Sequence, residues 1–216
     1  MPQSSPDGRF TILLGGSLTL TQRLLAQSAN SRCIAADGGM SHAPALALQP
    51  ELWVGDFDSA PPELLKAHPA IPRETYRADK AMTDGEIAVE AALKRGARHL
   101  LLAGGLGGQT DHALGHLALM LALAGRGIPV LASSGLEEAY PLCGGALTLD
   151  LPAGSRLSVI AFTDLSALTI RGVRWPLETA SIAAGSTRTL SNEATGDVEL
   201  RLEKGRAIVM AYPAGA

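Results

Sequence analysis

The chain has 216 residues, 46% of them hydrophobic, a net charge of −3 and two cysteines, so it has ample material for the core of one large domain or two small ones. Its Lys and Arg are scattered and form no basic stripe, which argues against a nucleic-acid partner. Residues 1–9 lack the apolar run of a signal peptide, the longest apolar run (113–124) is too short to span a bilayer, and Cys33 and Cys143 lack metal or CxxC spacing; together these point to a soluble protein with free thiols in a reducing cytoplasm and no membrane partner.

Through residue 135, short apolar runs alternate with helical patterns. Strands are predicted at 10–14, 33–36, 52–54, 99–103 and 129–132, most of them apolar on both faces as buried parallel strands are. Helices are predicted at 19–27, 41–48, 62–68, 83–95 and 111–124. The series predicts an α/β fold: a Rossmann-like, mostly parallel sheet with helices on both faces. Beyond residue 134 the chain becomes rich in β-forming residues punctuated by Gly and Pro. Strands are predicted at 146–151, 156–161, 167–170, 187–190, 198–202 and 207–211, and their spacing predicts an antiparallel sandwich or barrel. The boundary falls near 133–138, giving an α/β domain over 1–135 and a β domain over 136–216.

In an open α/β sheet, ligands bind beyond the carboxyl ends of the strands, and the chemistry-bearing residues of this chain fall there. Gly15-Gly16 follows the first predicted strand; Asp37-Gly38-Gly39 follows the second; Gly55-Asp56-Phe57-Asp58-Ser59 follows the third; Gly104-Gly105-Leu106-Gly107-Gly108-Gln109 follows the fourth and leads into Asp111-His112. A further acidic cluster, Asp79-Lys80-Ala81-Met82-Thr83-Asp84, opens a helix with the capping-box pattern Thr83-x-x-Glu86.

Two carboxylates about 4 Å apart repel by roughly 4 kcal/mol at an effective dielectric near 20. Clustered carboxylates beside an anion-sized glycine loop therefore point to Mg²⁺ and a phosphate ligand, since Mg²⁺ takes oxygen donors and shares them with substrate phosphates. Asp-x-Asp alone also suits a turn with a helix cap, and Asp84 alone suits a helix dipole; the clusters together favour the metal. The glycine loop lacks the Gly-Lys-[Ser/Thr] ending of a Walker A motif. His112 and His116 share a helix face, but no HExxH pattern or third ligand supports zinc, and a packing or polar contact fits them better. Leu114, Leu117, Ala118 and Leu121 carry the core spacing of that helix. In the C-terminal part, Trp175 reads as a core aromatic and residues 185–192 as a polar strand edge.

Taken in order, Ala36-Asp37-Gly38-Gly39, Gly55 to Ser59, Asp79-Lys80 with Thr83-Asp84, the glycine loop ending in Asp111-His112, and Gly185-Ser186 with Ser191-Asn192 resemble the thiamin pyrophosphokinase family over nearly the whole chain. The resemblance implies a Rossmann-like α/β domain joined to a β-sandwich. It also implies a homodimer with thiamin between subunits, and transfer of the diphosphate of ATP to the thiamin hydroxyl with release of AMP. By that likeness Asp56, Asp58 and Asp84 hold Mg²⁺, with Asp37 and Asp111 near the same centre. Lys80 meets phosphate oxygens, and Gly38, Gly39, Thr83, Gly107, Gly108, Gln109 and His112 line the nucleotide site. Trp175 stacks on thiamin, and Thr189, Ser191 and Asn192 offer polar contacts. The family usually carries Arg where this chain has Gln109, and often Asn where it has His116. A pterin-alcohol diphosphokinase and a non-catalytic nucleotide- or thiamin-binding homologue are the alternative readings.

Overall fold

The computed structural model describes residues 7–57, 62–75 and 82–215. It divides into two compact units. The first takes the described residues up to His116 together with Ile128–Gly135, and the second takes Leu117–Gly127 and the chain from Leu136 onward.

In the first unit, the strands are β1 (Arg9–Leu13), β2 (Arg32–Ala36), β3 (Leu52–Gly55), β4 (Arg73–Thr75), β5 (His99–Ala103) and β6 (Val130–Ser133). They pair in parallel in the order β6-β5-β1-β2-β3-β4. Leu13 of β1 lies opposite Ala35 of β2 on one side and Ala103 of β5 on the other. Chain order reverses at β1, so the loops after β1 and β5 flank the crevice in which ligands of such sheets bind. The central strands are buried almost throughout, as their continuous apolar runs require.

The helices are α1 (Gln22–Ser28), α2 (Pro62–Ala67), α3 (Asp84–Lys94) and α4 (Thr110–Gly125), the last running from residues of the first unit into those of the second. Thr83 caps α3 by accepting the Glu86 N–H at 3.2 Å, and α3 buries Ile87, Ala88, Val89, Ala91 and Ala92. Where a helix is predicted over 41–48, the chain instead forms a 3-10 helix, Asp37–His42, followed by turns. Pro44 has no N–H to give to a continuing helix, and Ala47 is left-handed at φ 51°. On α4 the apolar positions are also redistributed. Leu114 is 54% exposed and Ala118 is exposed, and the buried side chains are Leu117, Met120, Leu121 and Leu123.

The second unit contains β7 (Glu138–Leu142), β8 (Gly145–Leu149), β9 (Arg156–Ala161), β10 (Leu165–Val173), β11 (Leu177–Ile182), β12 (Asn192–Leu202) and β13 (Ala207–Tyr212). All of their pairings with one another are antiparallel. One sheet runs β7-β13-β9 and takes the start of β12, where Asn192 faces Leu157. The other is built on the end of β12, with β8 on one edge and β10 followed by β11 on the other. Leu157, Val159 and Val209 from the first sheet and Leu168, Ile170 and Leu200 from the second share one core, the packing of a β-sandwich. Residues 187–190 are a turn and not the expected strand: Leu190 N–H bonds Thr187 O at 3.2 Å. No helix among the described residues is long and apolar enough to cross a membrane.

Candidate active site

A cleft of about 750 Å³ opens at the carboxyl ends of the parallel strands. Its walls come from Gly15 and Gly16 after β1, Asp37 and Gly38 after β2, Asp56 after β3, Thr83 and Asp84 at the start of α3, and Gly107, Gly108 and Gln109 before α4, whose His112 and His116 complete it. Most residues expected to bind nucleotide or metal are thus brought together. Asp58 and Lys80 lie outside the described residues.

Two expected residues are placed differently. Gly39 is buried and does not line the cleft. A Cβ there would sit 2.8 Å from Leu14 N and nearer still to the Leu13 carbonyl, so this glycine serves close packing of the 3-10 helix on β1. Asp111 is exposed in the first turn of α4, does not line the cleft, and accepts the backbone N–H of its neighbour His112 at 2.9 Å.

Asp37 is the electrostatic centre. Its backbone is left-handed at φ 42°, a conformation that is uncommon outside glycine and that concentrates at functional sites. Trp53 Nε1 fixes its carbonyl at 2.9 Å. Burial, a hydrogen bond with the Asp84 carboxyl and the charges of Asp84 and Asp56 push its carboxyl up to about 7, opposed only by the Phe57 amide. Its Oδ1 is buried without a hydrogen-bond partner among the described residues. The acidic pair in contact is therefore Asp37 and Asp84, with Asp56 acting on them through its charge.

No group of three or more His, Cys, Asp or Glu side chains among the described residues forms a ready metal cage. Mg²⁺ does not need one: it commonly uses one or two carboxylates and completes its shell with waters and substrate phosphates. An orphaned carboxylate oxygen beside a second carboxyl fits that requirement. His112 and His116 meet edge to face with centroids 6.4 Å apart, a packing contact.

The remaining expected residues line a second, smaller pocket of about 380 Å³ in the β-sandwich. Trp175 is 55% exposed there, not the core aromatic that its surroundings in the sequence suggest. Thr189 and Asn192 line the pocket, but their polar groups are engaged. Thr189 Oγ1 donates to Val159 O at 2.6 Å, and the Asn192 amide bonds the backbone of Trp175. Ser191 stands beside them in a left-handed conformation at φ 59°. His42, not singled out by the sequence, also touches this chemistry: its Nε2 lies 2.9 Å from Gly16 O. A lone His next to Ala-Pro gave no signal of that contact.

The family model described as "Thiamin pyrophosphokinase, catalytic domain" matches residues 23–132, and that described as "Thiamin pyrophosphokinase, vitamin B1 binding domain" matches residues 147–206. The chain belongs to the thiamin pyrophosphokinase family. A thiamine pyrophosphokinase of Bacillus subtilis (strain 168) is 30% identical over 145 residues, 64% of this chain and 67% of that protein. The crystal structure of thiamine pyrophosphokinase from Bacillus subtilis superposes with a TM-score of 0.83 at 25% identity, covering 95% of this chain and 99% of the other. Thiamin pyrophosphokinase from Candida albicans shares the fold at 12% identity, with a TM-score of 0.78 over 95% of this chain and 90% of that one. The first match contains every residue that lines the cleft beyond Gly16, and the second contains the Trp175 pocket.

Proposed function

We infer that this chain is a thiamine diphosphokinase: it transfers the diphosphate of ATP to the hydroxyl of thiamin and releases thiamin diphosphate and AMP. The observation that carries the reading is the meeting of Asp37, Asp56 and Asp84 with two glycine loops in one cleft, whose lining beyond Gly16 falls inside the residues matched by the family's catalytic domain. The proposed nucleotide domain spans residues 1–135 and the proposed thiamin domain 136–216, although Leu117–Gly127 of α4 group with the second compact unit.

Asp37, Asp56 and Asp84 are the described residues that would hold Mg²⁺, with Asp58 as a further ligand from the same loop as Asp56. When bound, the ion supplies positive charge against the phosphate oxygens. The loops Gly15-Gly16 and Gly104–Gln109 present backbone to the triphosphate, and glycine lets that backbone approach closely. Lys80 and Gln109 meet phosphate oxygens. In the reaction the thiamin hydroxyl oxygen bonds to the β-phosphorus and gives up its proton to water, while the bond from that phosphorus to the α,β-bridging oxygen breaks and AMP departs with the electron pair. Such transfers have a loose transition state, so alignment and charge neutralisation supply most of the acceleration.

Thiamin stacks on Trp175. The half-open shape of that pocket and the exposure of Trp175 and Leu190 support closure by a second subunit in a homodimer. Cys33 and Cys143 are both free, and burial pushes both thiols up, in keeping with a reducing cytoplasm.

The test is AMP formation from ATP and Mg²⁺ with thiamin, with a hydroxymethylpterin or with no acceptor. Thiamin-dependent AMP supports the reading; AMP formed only with the pterin, or nucleotide binding without turnover, overturns it.

A further inference from the structure

Two imidazoles grip the backbone of the two glycine loops at the switch point of the parallel sheet. His42, the last residue of the 3-10 helix, places Nε2 2.9 Å from Gly16 O; His116 on α4 places Nδ1 2.9 Å from Gly105 O. A carbonyl oxygen can only accept, so each ring must donate, and the contacts fix opposite tautomers: Nε2–H on His42 and Nδ1–H on His116. Burial, helped by the neighbouring His112, holds His116 below its ordinary value against the opposing bond to Gly105 O.

The loops are also tied to each other, Gly16 N–H to Gly104 O at 3.1 Å, and Gly104 N–H is anchored to Ser133 O at the end of β6 at 2.9 Å. The 3-10 helix that ends in His42 begins with Asp37. The far edge of the His116 ring faces the first turn of α3, its Nε2 3.2 Å from where a Cβ on Gly85 would stand, beside Asp84. Each histidine thus links one glycine loop to an element bearing one of the paired carboxylates. A loop carbonyl swung into the cleft would repel a phosphate, whereas one bonded to a ring N–H is held out of its way.

We propose that His42 and His116 are positioning residues of the nucleotide site, bracing the carbonyls of Gly16 and Gly105 so that the two glycine loops present the triphosphate with amides. The proposal rests on the ATP reading above but not on catalysis, so it is tested by affinity for Mg²⁺-ATP as well as by turnover.

Because the two rings use different nitrogens, their amide stand-ins differ. A Gln amide reaches the position of Nε2, and an Asn amide that of Nδ1. In calorimetric titration with Mg²⁺-ATP, His42→Ala and His116→Ala are expected to weaken binding about tenfold, the effect of losing one well-formed hydrogen bond and its loop geometry. KM for ATP should rise in parallel while KM for thiamin stays within about twofold. His42→Gln and His116→Asn should recover most of the loss; the crossed pair, His42→Asn and His116→Gln, should not. Wild-type ATP affinity in either folded Ala variant, equal recovery by matched and crossed amides, or a rise confined to KM for thiamin would overturn the proposal. If an Ala variant fails to fold, the matched and crossed amides still decide it. ATP affinity that follows this pattern without AMP release would uphold the brace while sinking the enzyme reading.

Discussion

The side chain of Asn192 closes both backbone groups of Trp175: its Oδ1 accepts the Trp175 N–H at 3.1 Å and its Nδ2 donates to the Trp175 carbonyl at 2.8 Å. The same Oδ1 also takes the Glu193 N–H at 2.9 Å. Asn192 is thereby committed to holding the backbone of a half-exposed Trp175 in place at the start of β12.

From this clamp, Trp175→Ala and Asn192→Ala should raise KM for thiamin in the same direction, by about tenfold or more for the aromatic and less for the amide. Asn192→Asp keeps the acceptor and loses the donor, so it should fall between wild type and Asn192→Ala. Steady-state kinetics at saturating ATP measure all three. A wild-type KM in Asn192→Ala would remove the clamp from the account.

Asp37 makes metal-free stability depend on pH. Its folded value near 7 stands above the ordinary 3.8, so between these values the folded state keeps a proton that the unfolded chain has released. The stability from that proton is complete below about pH 4 and is lost as pH rises through 7. With a chelator present, Tm should fall from pH 5 to pH 8, and Asp37→Asn should flatten that slope and raise Tm at pH 8. At about 2–4 °C per kcal/mol for a chain of this size, differential scanning calorimetry resolves the change. Added Mg²⁺ should restore Tm at pH 8 in wild type and much less in Asp37→Asn.

Gly55 ends β3 directly against the acidic pair. A Cβ there would run into Asp37 Oδ1 and stand 2.9 Å from its Cγ. Gly55→Ala must therefore displace the Asp37 carboxyl, with an expected loss of 1–3 kcal/mol by overpacking and a larger proportional loss of turnover. Thermal unfolding and kcat on the same preparation check both. Unchanged kcat would mean that the position of Asp37 is unimportant to the reaction.

Gln109 lines the cleft with a neutral amide. A guanidinium there adds charge at the transferring phosphates, so Gln109→Arg should raise kcat, by up to about tenfold for a partly solvated contact. Unchanged kinetics would place this side chain away from the triphosphate.

The parallel sheet was legible because its strands are apolar on both faces, and α3 because Thr83 and Glu86 announce its first turn. The edge strands were not: β4 is Arg-Glu-Thr, largely exposed, and β11 is exposed along much of its length. Neither presents a run of apolar residues to read. The acidic residues of the cleft could be read because Asp37 and Asp56 follow strand ends and Asp84 opens a capped helix, but which carboxylates touch depends on the left-handed turn at Asp37, and nothing in Ala-Asp-Gly-Gly encodes the contact with Asp84. His42 was silent for a similar reason. Its partner is a backbone carbonyl 26 residues away in sequence, and a carbonyl leaves no mark in a sequence.

The most direct measurement follows ATP labelled at the β-phosphorus through a single turnover with thiamin. The account expects the label in thiamin diphosphate, with unlabelled AMP formed in equal amount, and no transfer when Asp84 is replaced by Asn. Label retained in ADP, or full transfer by Asp84→Asn, would contradict it.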